Sequence, residues 1–294
     1  MRILILGGNG MIGHKVYQVL SDVHQDTWVL LRQSLGTVKN SELFNSQKVI
    51  SEHDLTDLAK LGDTLDNLNP DLIINAVGIT IRRGVENSIS RSVVVNSALP
   101  HFIEEWVDRN DGKRVIHFST DCVFSGGSGS YTEESVPDAN DVYGKTKALG
   151  EISGPKSLTL RGSMIGREIE NKTELLEWFL KNKSNVVKGF SEVIYSGITT
   201  LQMALFVKQI IAQFPNLSGI YNVASIPISK YDLLNLFNEH FKNGSTIIQE
   251  KGYKSKKDLI ANKFYSETGF KVPEWKDLVI DLQRDSEKYC KYYK

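Results

Sequence analysis

Four glycines, Gly7, Gly8, Gly10 and Gly13, crowd into seven positions between the apolar run Ile3 to Leu6 and HKVYQVL, whose apolar residues recur at helical spacing. A short buried strand, a glycine turn and a helix in immediate succession form the opening of a βαβ unit. Glycine lets the backbone come close to a pyrophosphate there, while the first N–H groups of the helix point at its charge. Two spacings overlap in this stretch. Gly8-x-Gly10-x-x-Gly13 fits the ordinary dinucleotide fingerprint, and Gly7-x-x-Gly10-x-x-Gly13 fits a wider variant. The turn alone leaves both open, along with a plain flexible turn.

Strand and helix patterns then alternate. DTWVLLR reads as a second strand, QKVISEHDL as a third with polar residues at its end, and DLIINAVG, entered through Pro70, as a fourth. SVVVNSALPHFIEEWVDR reads as one long helix with a bend expected at Pro100, and KRVIHFST follows the turn signal NDGK as a fifth strand. This alternation predicts an α/β fold with a Rossmann-like, doubly wound parallel sheet. The last third is Lys-rich and carries the helical stretches SKYDLLNLFNEHF and DLVIDLQRDSEKY, which suggests a smaller C-terminal substrate lobe. The expected division places residues 1–161 and about 198–226 in an NAD(P)-binding domain, with about 162–197 and 227–294 in the lobe. No internal repeat or low-complexity tract interrupts the pattern.

Composition narrows the function. In 294 residues, Lys plus Arg and Asp plus Glu each total 35, so wholesale neutralisation of nucleic acid or of an anionic membrane is not expected. No apolar run approaches the roughly 20 residues of a membrane span. The first strand starts beside the first residue, so no signal peptide is expected. Two cysteines, Cys122 and Cys290, fit a reducing compartment better than a disulfide framework. A cytoplasmic protein is expected.

The chemistry-bearing residues follow the fifth strand. STDCVFSG occupies residues 119–126 and YGKTK residues 143–147. Tyr143 and Lys147, four apart, share one helix face one turn apart. A nearby ammonium favours the phenolate and so is expected to lower the tyrosine pKa. Tyr-x-x-x-Lys is common on solvated helices. Its weight here comes from its place in a series: a glycine turn first, then a hydroxyl ending strand five, then Tyr and Lys on the next helix.

In these residues the chain resembles the extended short-chain dehydrogenase/reductase family, and more narrowly its dTDP-4-dehydrorhamnose reductase branch, whose signature is similar to STD-x-VF-x-G. INAVG (74–78), LRGS (160–163) and GITT (197–200) are further landmarks, and the resemblance runs from Met1 to about Ile228. It implies NADPH, with NADH also open, and a nucleotide-sugar substrate under the smaller lobe. By position it implies Thr120, Tyr143 and Lys147 as the catalytic set. Tyr143 would give a proton to the oxygen at C4, Thr120 would polarise the carbonyl, and Lys147 would hold the ribose. Asp121 and Met164 would meet the sugar along with Thr120. Gly7, Gly10, Met11, Ile12 and Gly13 would form the phosphate turn, Asp54 and Leu55 would flank the adenine, and Ala76, Val77 and Gly78 would line the nicotinamide side.

Arg32 ends the second strand, where NAD enzymes commonly carry an acid for the ribose 2′-hydroxyl. An arginine there suits a 2′-phosphate, and its plain alternative is an exposed strand-end residue. Cys122 stands where 4,6-dehydratases have a catalytic Glu, which removes that chemistry. It also raises an epimerase that would pair a cysteine with a histidine, but MIGREIEN holds no histidine, and Glu168 is the only substitute in view. The branch's usual Trp is Met164, which leaves the particular sugar open. A cofactor-holding regulatory subunit without turnover is the other alternative. His117 reads as a core or strand-end residue, Arg82 and Arg83 as a solvated loop or diphosphate contact, and KYCKYYK as a solvated tail. No metal site is expected, and a homodimer is compatible with the family.

Overall fold

The computed structural model describes residues 1–80 and 88–293. The first half lays down β1 (Ile3–Leu6), α1 (Met11–Ser21), β2 (Thr27–Leu30), β3 (Val49–Ile50), α2 (Leu58–Leu68), β4 (Leu72–Asn75), α3 (Ile89–Val93) and α4 (Leu99–Arg109). Then come β5 (Arg114–Ser119), α5 (Val142–Leu149), β6 (Ser157–Arg161), β7 (Met164–Ile165), α6 (Leu175–Lys181), β8 (Val186–Phe190), β9 (Val193–Tyr195) and β10 (Ile198–Thr199). The chain continues with α7 (Thr200–Gln213), β11 (Gly219–Asn222), β12 (Ile228–Ser229), α8 (Lys230–His240), β13 (Thr246–Glu250), β14 (Ser255–Lys256), α9 (Asn262–Thr268) and α10 (Trp275–Lys288).

Seven strands form one parallel sheet in the order β11-β6-β5-β4-β1-β2-β3. The chain starts at β1 and builds outward both ways, so the connections leaving β1 and β4 run to opposite faces and open a crevice beyond their paired carboxyl ends, where such sheets bind ligands. Successive side chains of β1 go to opposite faces. Ile3 and Ile5 pack with Ile74, Ile116 and Leu160 against Val16 and Leu20 of α1 and Phe206 and Val207 of α7. Leu4 and Leu6 pack with Ile73 and Val115 against Leu61 and Leu65 of α2 and Ile103 and Trp106 of α4. Burial on both faces explains why these strands read as unbroken apolar runs.

The long helix expected over SVVVNSALPHFIEEWVDR is two helices, α3 and α4, joined by a π-helical stretch, Val94–Ala98. Pro100 has no N–H to give the Asn96 carbonyl, so the ladder widens instead of merely bending. The Asn96 carbonyl packs closely on Gly150, where a Cβ would come within 1.9 Å of that oxygen. The third strand is also shorter than QKVISEHDL suggests, since Glu52 adopts a left-handed φ of 58° just beyond β3.

The shorter strands of the second half form three small sheets, β10-β7, β12-β9-β14 and β13-β8. Beside them Phe179, Leu233, Phe237, Trp275 and Leu282 make a separate apolar cluster. Residues of the last third also reach the main core: Phe264, Phe270, Tyr292 and Tyr293 share its cluster with β1 and α7. The solvated tail expected from KYCKYYK is therefore corrected. Tyr292 and Tyr293 are buried, and Lys15 lies 4.7 Å over the Tyr289 ring while ion-pairing with Asp285 at 2.6 Å. Their aromatic area outweighs the lysine charges around them. Among the described residues no helix is long and apolar enough to cross a membrane.

Candidate active site

The glycine turn is packed against itself. Gly7 takes a left-handed φ of 78° and accepts the Gly10 N–H at 2.9 Å, and a Cβ on Gly13 would sit 2.1 Å from the Gly7 carbonyl oxygen. The tight pair is thus Gly7 and Gly13, which any side chain at 13 would force apart. Gly10 caps α1 in extended backbone, and it alone of the four faces both neighbouring cavities.

The larger cavity, about 560 Å³, lies over the carboxyl ends of β1, β2 and β4. It gathers Gly7, Gly10, Arg32, Asp54 and Leu55, with Ala76, Val77 and Gly78 on the far wall. Asp54 is not an isolated carboxylate. Arg91 of α3 places one guanidinium nitrogen 2.9 and 2.8 Å from its two oxygens. Burial opposes the Asp54 charge, but the Thr56 N–H and Arg91 outweigh it and hold its pKa down. Arg32 is exposed at the cavity edge.

A second cavity of about 300 Å³ shares Gly10, Ala76 and Gly78 with the first. It brings Met11 and Ile12 at the start of α1 together with Thr120, Tyr143, Lys147 and Met164. The Thr120 oxygen accepts the Cys122 N–H at 3.1 Å, and its proton points to Asp121 Oδ1 at 3.2 Å. Asp141 caps α5 by accepting the Gly144 N–H, which sets Tyr143 in the first turn and Lys147 one turn below. Gly13 borders neither cavity and packs against Gly7.

The electrostatics differ from the expectation for the Tyr–Lys pair. Burial raises the Tyr143 pKa, the Cys122 and Asp121 charges add to the rise, and the Thr120 hydroxyl opposes it. Lys147 does not lower it, because its ammonium turns away to the Phe118 carbonyl at 2.7 Å and to His117 Nε2 at 3.2 Å. Burial brings Lys147 down to about 8, with Glu151 working against the fall. His117 is fully buried, and burial followed by the Lys147 charge keeps it neutral, so it accepts from the ammonium. Its contact with Lys147 is invisible in the sequence, where it is only an alternating strand residue.

A third cavity, about 320 Å³, joins the second through Met11, Cys122, Ser163, Met164 and Glu174. Asp121 faces it, with its pKa raised by burial and pulled back by Lys257. Lys230, Tyr253, Ser255 and Lys257 complete the wall, and sequence reasoning found none of them. The Cys122 thiol is pushed up to about 12 by burial and the neighbouring Asp121. Glu168 is spent on the loop before α6, where it accepts the Thr173 and Glu174 N–H groups at 2.6 and 2.8 Å. Arg82 and Arg83 lie outside the described residues.

Residues 1–178, which include the glycine turn and the whole Thr120, Tyr143 and Lys147 set, match the RmlD substrate binding domain family. The chain belongs to that family. Within it, a dTDP-4-dehydrorhamnose reductase of Aggregatibacter actinomycetemcomitans is 28% identical over 81% of this chain and 79% of its own. The spore coat polysaccharide biosynthesis protein SpsK of Bacillus subtilis is 21% identical over 98% of this chain and 99% of its own. The crystal structure of the Bacillus anthracis dTDP-4-dehydrorhamnose reductase in complex with NADP has the same fold. Its TM-score is 0.77 at 17% identity, over 97% of this chain and 98% of that one.

Proposed function

We propose that this RmlD-family chain is an NADPH-dependent reductase of the 4-keto group of a nucleotide-linked deoxysugar, serving surface polysaccharide synthesis. The observation that carries the reading is the meeting of Thr120, Tyr143 and Lys147 with the start of α1 on one cavity, which opens to a larger cavity on each side. The three in line suit a dinucleotide, a reacting carbonyl and a nucleotide sugar. The self-packed turn also fits a dinucleotide: Gly7 and Gly13 close on each other, while Gly10 leaves open backbone toward the cavities. In this reading residues 1–161 with about 198–226 hold the cofactor, and about 162–197 with 227–294 hold the sugar nucleotide.

NADPH, when bound, supplies the hydride. The chain's own task is to orient the carbonyl and to supply a proton as negative charge grows on its oxygen. Tyr143 gives that proton to the C4 oxygen. Its raised pKa keeps it protonated throughout the neutral range, as an acid must be. Thr120 turns its hydroxyl proton from Asp121 to the same oxygen. Lys147, which lines the cavity, turns its ammonium from His117 to hold the ribose. Arg32 pairs with the 2′-phosphate, with Asp54 and Leu55 at the adenine. In the third cavity Lys257 and Lys230 face the substrate diphosphate across Asp121.

NADPH consumption with a panel of dTDP- and UDP-linked 4-keto sugars tests this reading, and turnover with at least one is expected. Absence of both turnover and NADPH binding would overturn it. Binding without turnover would favour the regulatory subunit. Epimerisation requires two placed acid/base groups, and neither Cys122, with its thiol held protonated, nor Glu168, bound to the α6 loop, supplies one. The product made in D₂O with protiated NADPH is therefore expected to carry no deuterium on carbon.

A further inference from the structure

Tyr293 stands behind the 560 Å³ cavity and does not line it, yet it is bonded to residues close in chain to both of its walls. On one side the Tyr293 hydroxyl lies 3.1 Å from His14 Nε2, and His14 Nδ1 lies 2.8 Å from the Gly10 carbonyl oxygen. A carbonyl only accepts, so Nδ1 carries the ring proton, Nε2 accepts, and Tyr293 donates. Burial lowers the His14 pKa to about 3, so the ring stays neutral and keeps this direction. Gly10 in turn donates its N–H to Gly7 at 2.9 Å, and the series ends in the glycine turn.

On the other side the Tyr293 carbonyl accepts from Lys172 Nζ at 2.9 Å and from Arg167 Nη2 at 3.4 Å. The Arg167 guanidinium lies 4.8 Å over the Tyr293 ring. Between Arg167 and Thr173 the chain presents Glu170 and Asn171 to the cavity, and Glu170 accepts from Asn9 of the glycine turn at 3.0 Å. Simple space-filling would account for a buried ring, but not for polar bonds running from Tyr293 to His14 on one side and to Lys172 and Arg167 on the other.

We propose that Tyr293 is a positioning residue for the dinucleotide, fixing the glycine turn through His14 and holding segment 167–173 against it without touching the cofactor. The inference rests on reading the cavity as the NADPH site. Tyr293→Phe keeps the ring packed and removes only the donor. Fluorescence titration is expected to show NADPH binding weakened about 3- to 10-fold, the scale of one net hydrogen bond. The kcat at saturating NADPH and the affinity for dTDP should not change. Tyr221→Phe is the control: its hydroxyl, 2.5 Å from Glu267, sits in the same apolar cluster but leads nowhere near the turn, so its NADPH affinity should stay put.

In a His14→Phe background the relay is already cut, because that ring neither donates nor accepts, so Tyr293→Phe should add no further loss. Amide exchange at residues 10–14 should quicken in both single variants. An unchanged NADPH affinity in Tyr293→Phe, or an equal loss in the His14→Phe background, overturns the proposal while leaving the functional reading intact. Failure of the unaltered protein to bind NADPH overturns the functional reading, and this proposal with it.

Discussion

The proposed cofactor end and the proposed sugar end of this cleft are built on different plans. The 560 Å³ cavity takes its floor from short stretches at the carboxyl ends of β1, β2 and β4, to which Asp54, Arg91 and Glu170 are added from farther along the chain. The 320 Å³ cavity draws Asp121, Glu174, Tyr195, Lys230 and Lys257 from five separate stretches spread over more than a hundred residues. A phosphate turn is set by backbone geometry, which local glycines dictate. A sugar pocket is set by side chains that only folding brings together. Substitutions at the two ends should therefore separate cleanly in what they damage.

The sharpest test lies where the two ends meet. Tyr143→Phe keeps the ring and the NADPH site but removes the proton donor, so turnover should fall by ~10²–10⁴-fold. NADPH titration should be unaltered, and near-normal kcat would assign the proton to another group.

Next in size is Gly13→Ala, aimed at the cofactor end alone. Its Cβ would meet the Gly7 carbonyl oxygen at 2.1 Å, so the turn must open. Overpacking of this kind costs about 1–3 kcal/mol, which should appear as NADPH binding weakened roughly 5- to 150-fold. Binding of dTDP should survive, and equal loss at both ends would mean the variant damages the whole fold.

A crossed pair sharpens the contrast. Arg32→Ala should weaken NADPH by about 1–3 kcal/mol through the lost charge-assisted bond, with little change for NADH. Lys257→Ala should raise KM for the nucleotide sugar by about 10-fold while sparing NADPH. Reversal of either selectivity, read by titration with each ligand, would redraw the boundary between the two ends.

The smallest expected effect is in pH. The kcat/KM of the free enzyme should fall as pH rises through about 8, where Lys147 loses its proton, while Tyr143 stays protonated. The sign for stability is opposite. The folded lysine titrates near 8 and the unfolded one near 10.5, so this group's contribution to stability grows as pH rises between them. A rate profile flat to pH 10 would remove Lys147's charge from the mechanism.

How much could be read in advance follows the same division. Four of the five early strands and the Tyr143–Lys147 helix were legible, because buried parallel strands and helix faces leave periodic patterns. Asp54 was legible as a position, but its bond to Arg91 was not, since the two lie 37 residues apart. The π-helical stretch was half legible. Pro100 announced a fault in the helix, but not that it would be a π-helical stretch with Gly150 packed on Asn96.

By itself the sequence determined the parallel sheet, the turn before α1 and the helix that puts Tyr143 and Lys147 one turn apart, because these rest on local backbone geometry and on short-range spacing. Only the tertiary structure decided where charge and protons sit. It turned the Lys147 ammonium to His117 and Phe118, left Tyr143 with a raised pKa, and buried Tyr293 against His14 and Arg167. Those outcomes depend on desolvation and on partners far apart in the chain, and neither has any period in the sequence.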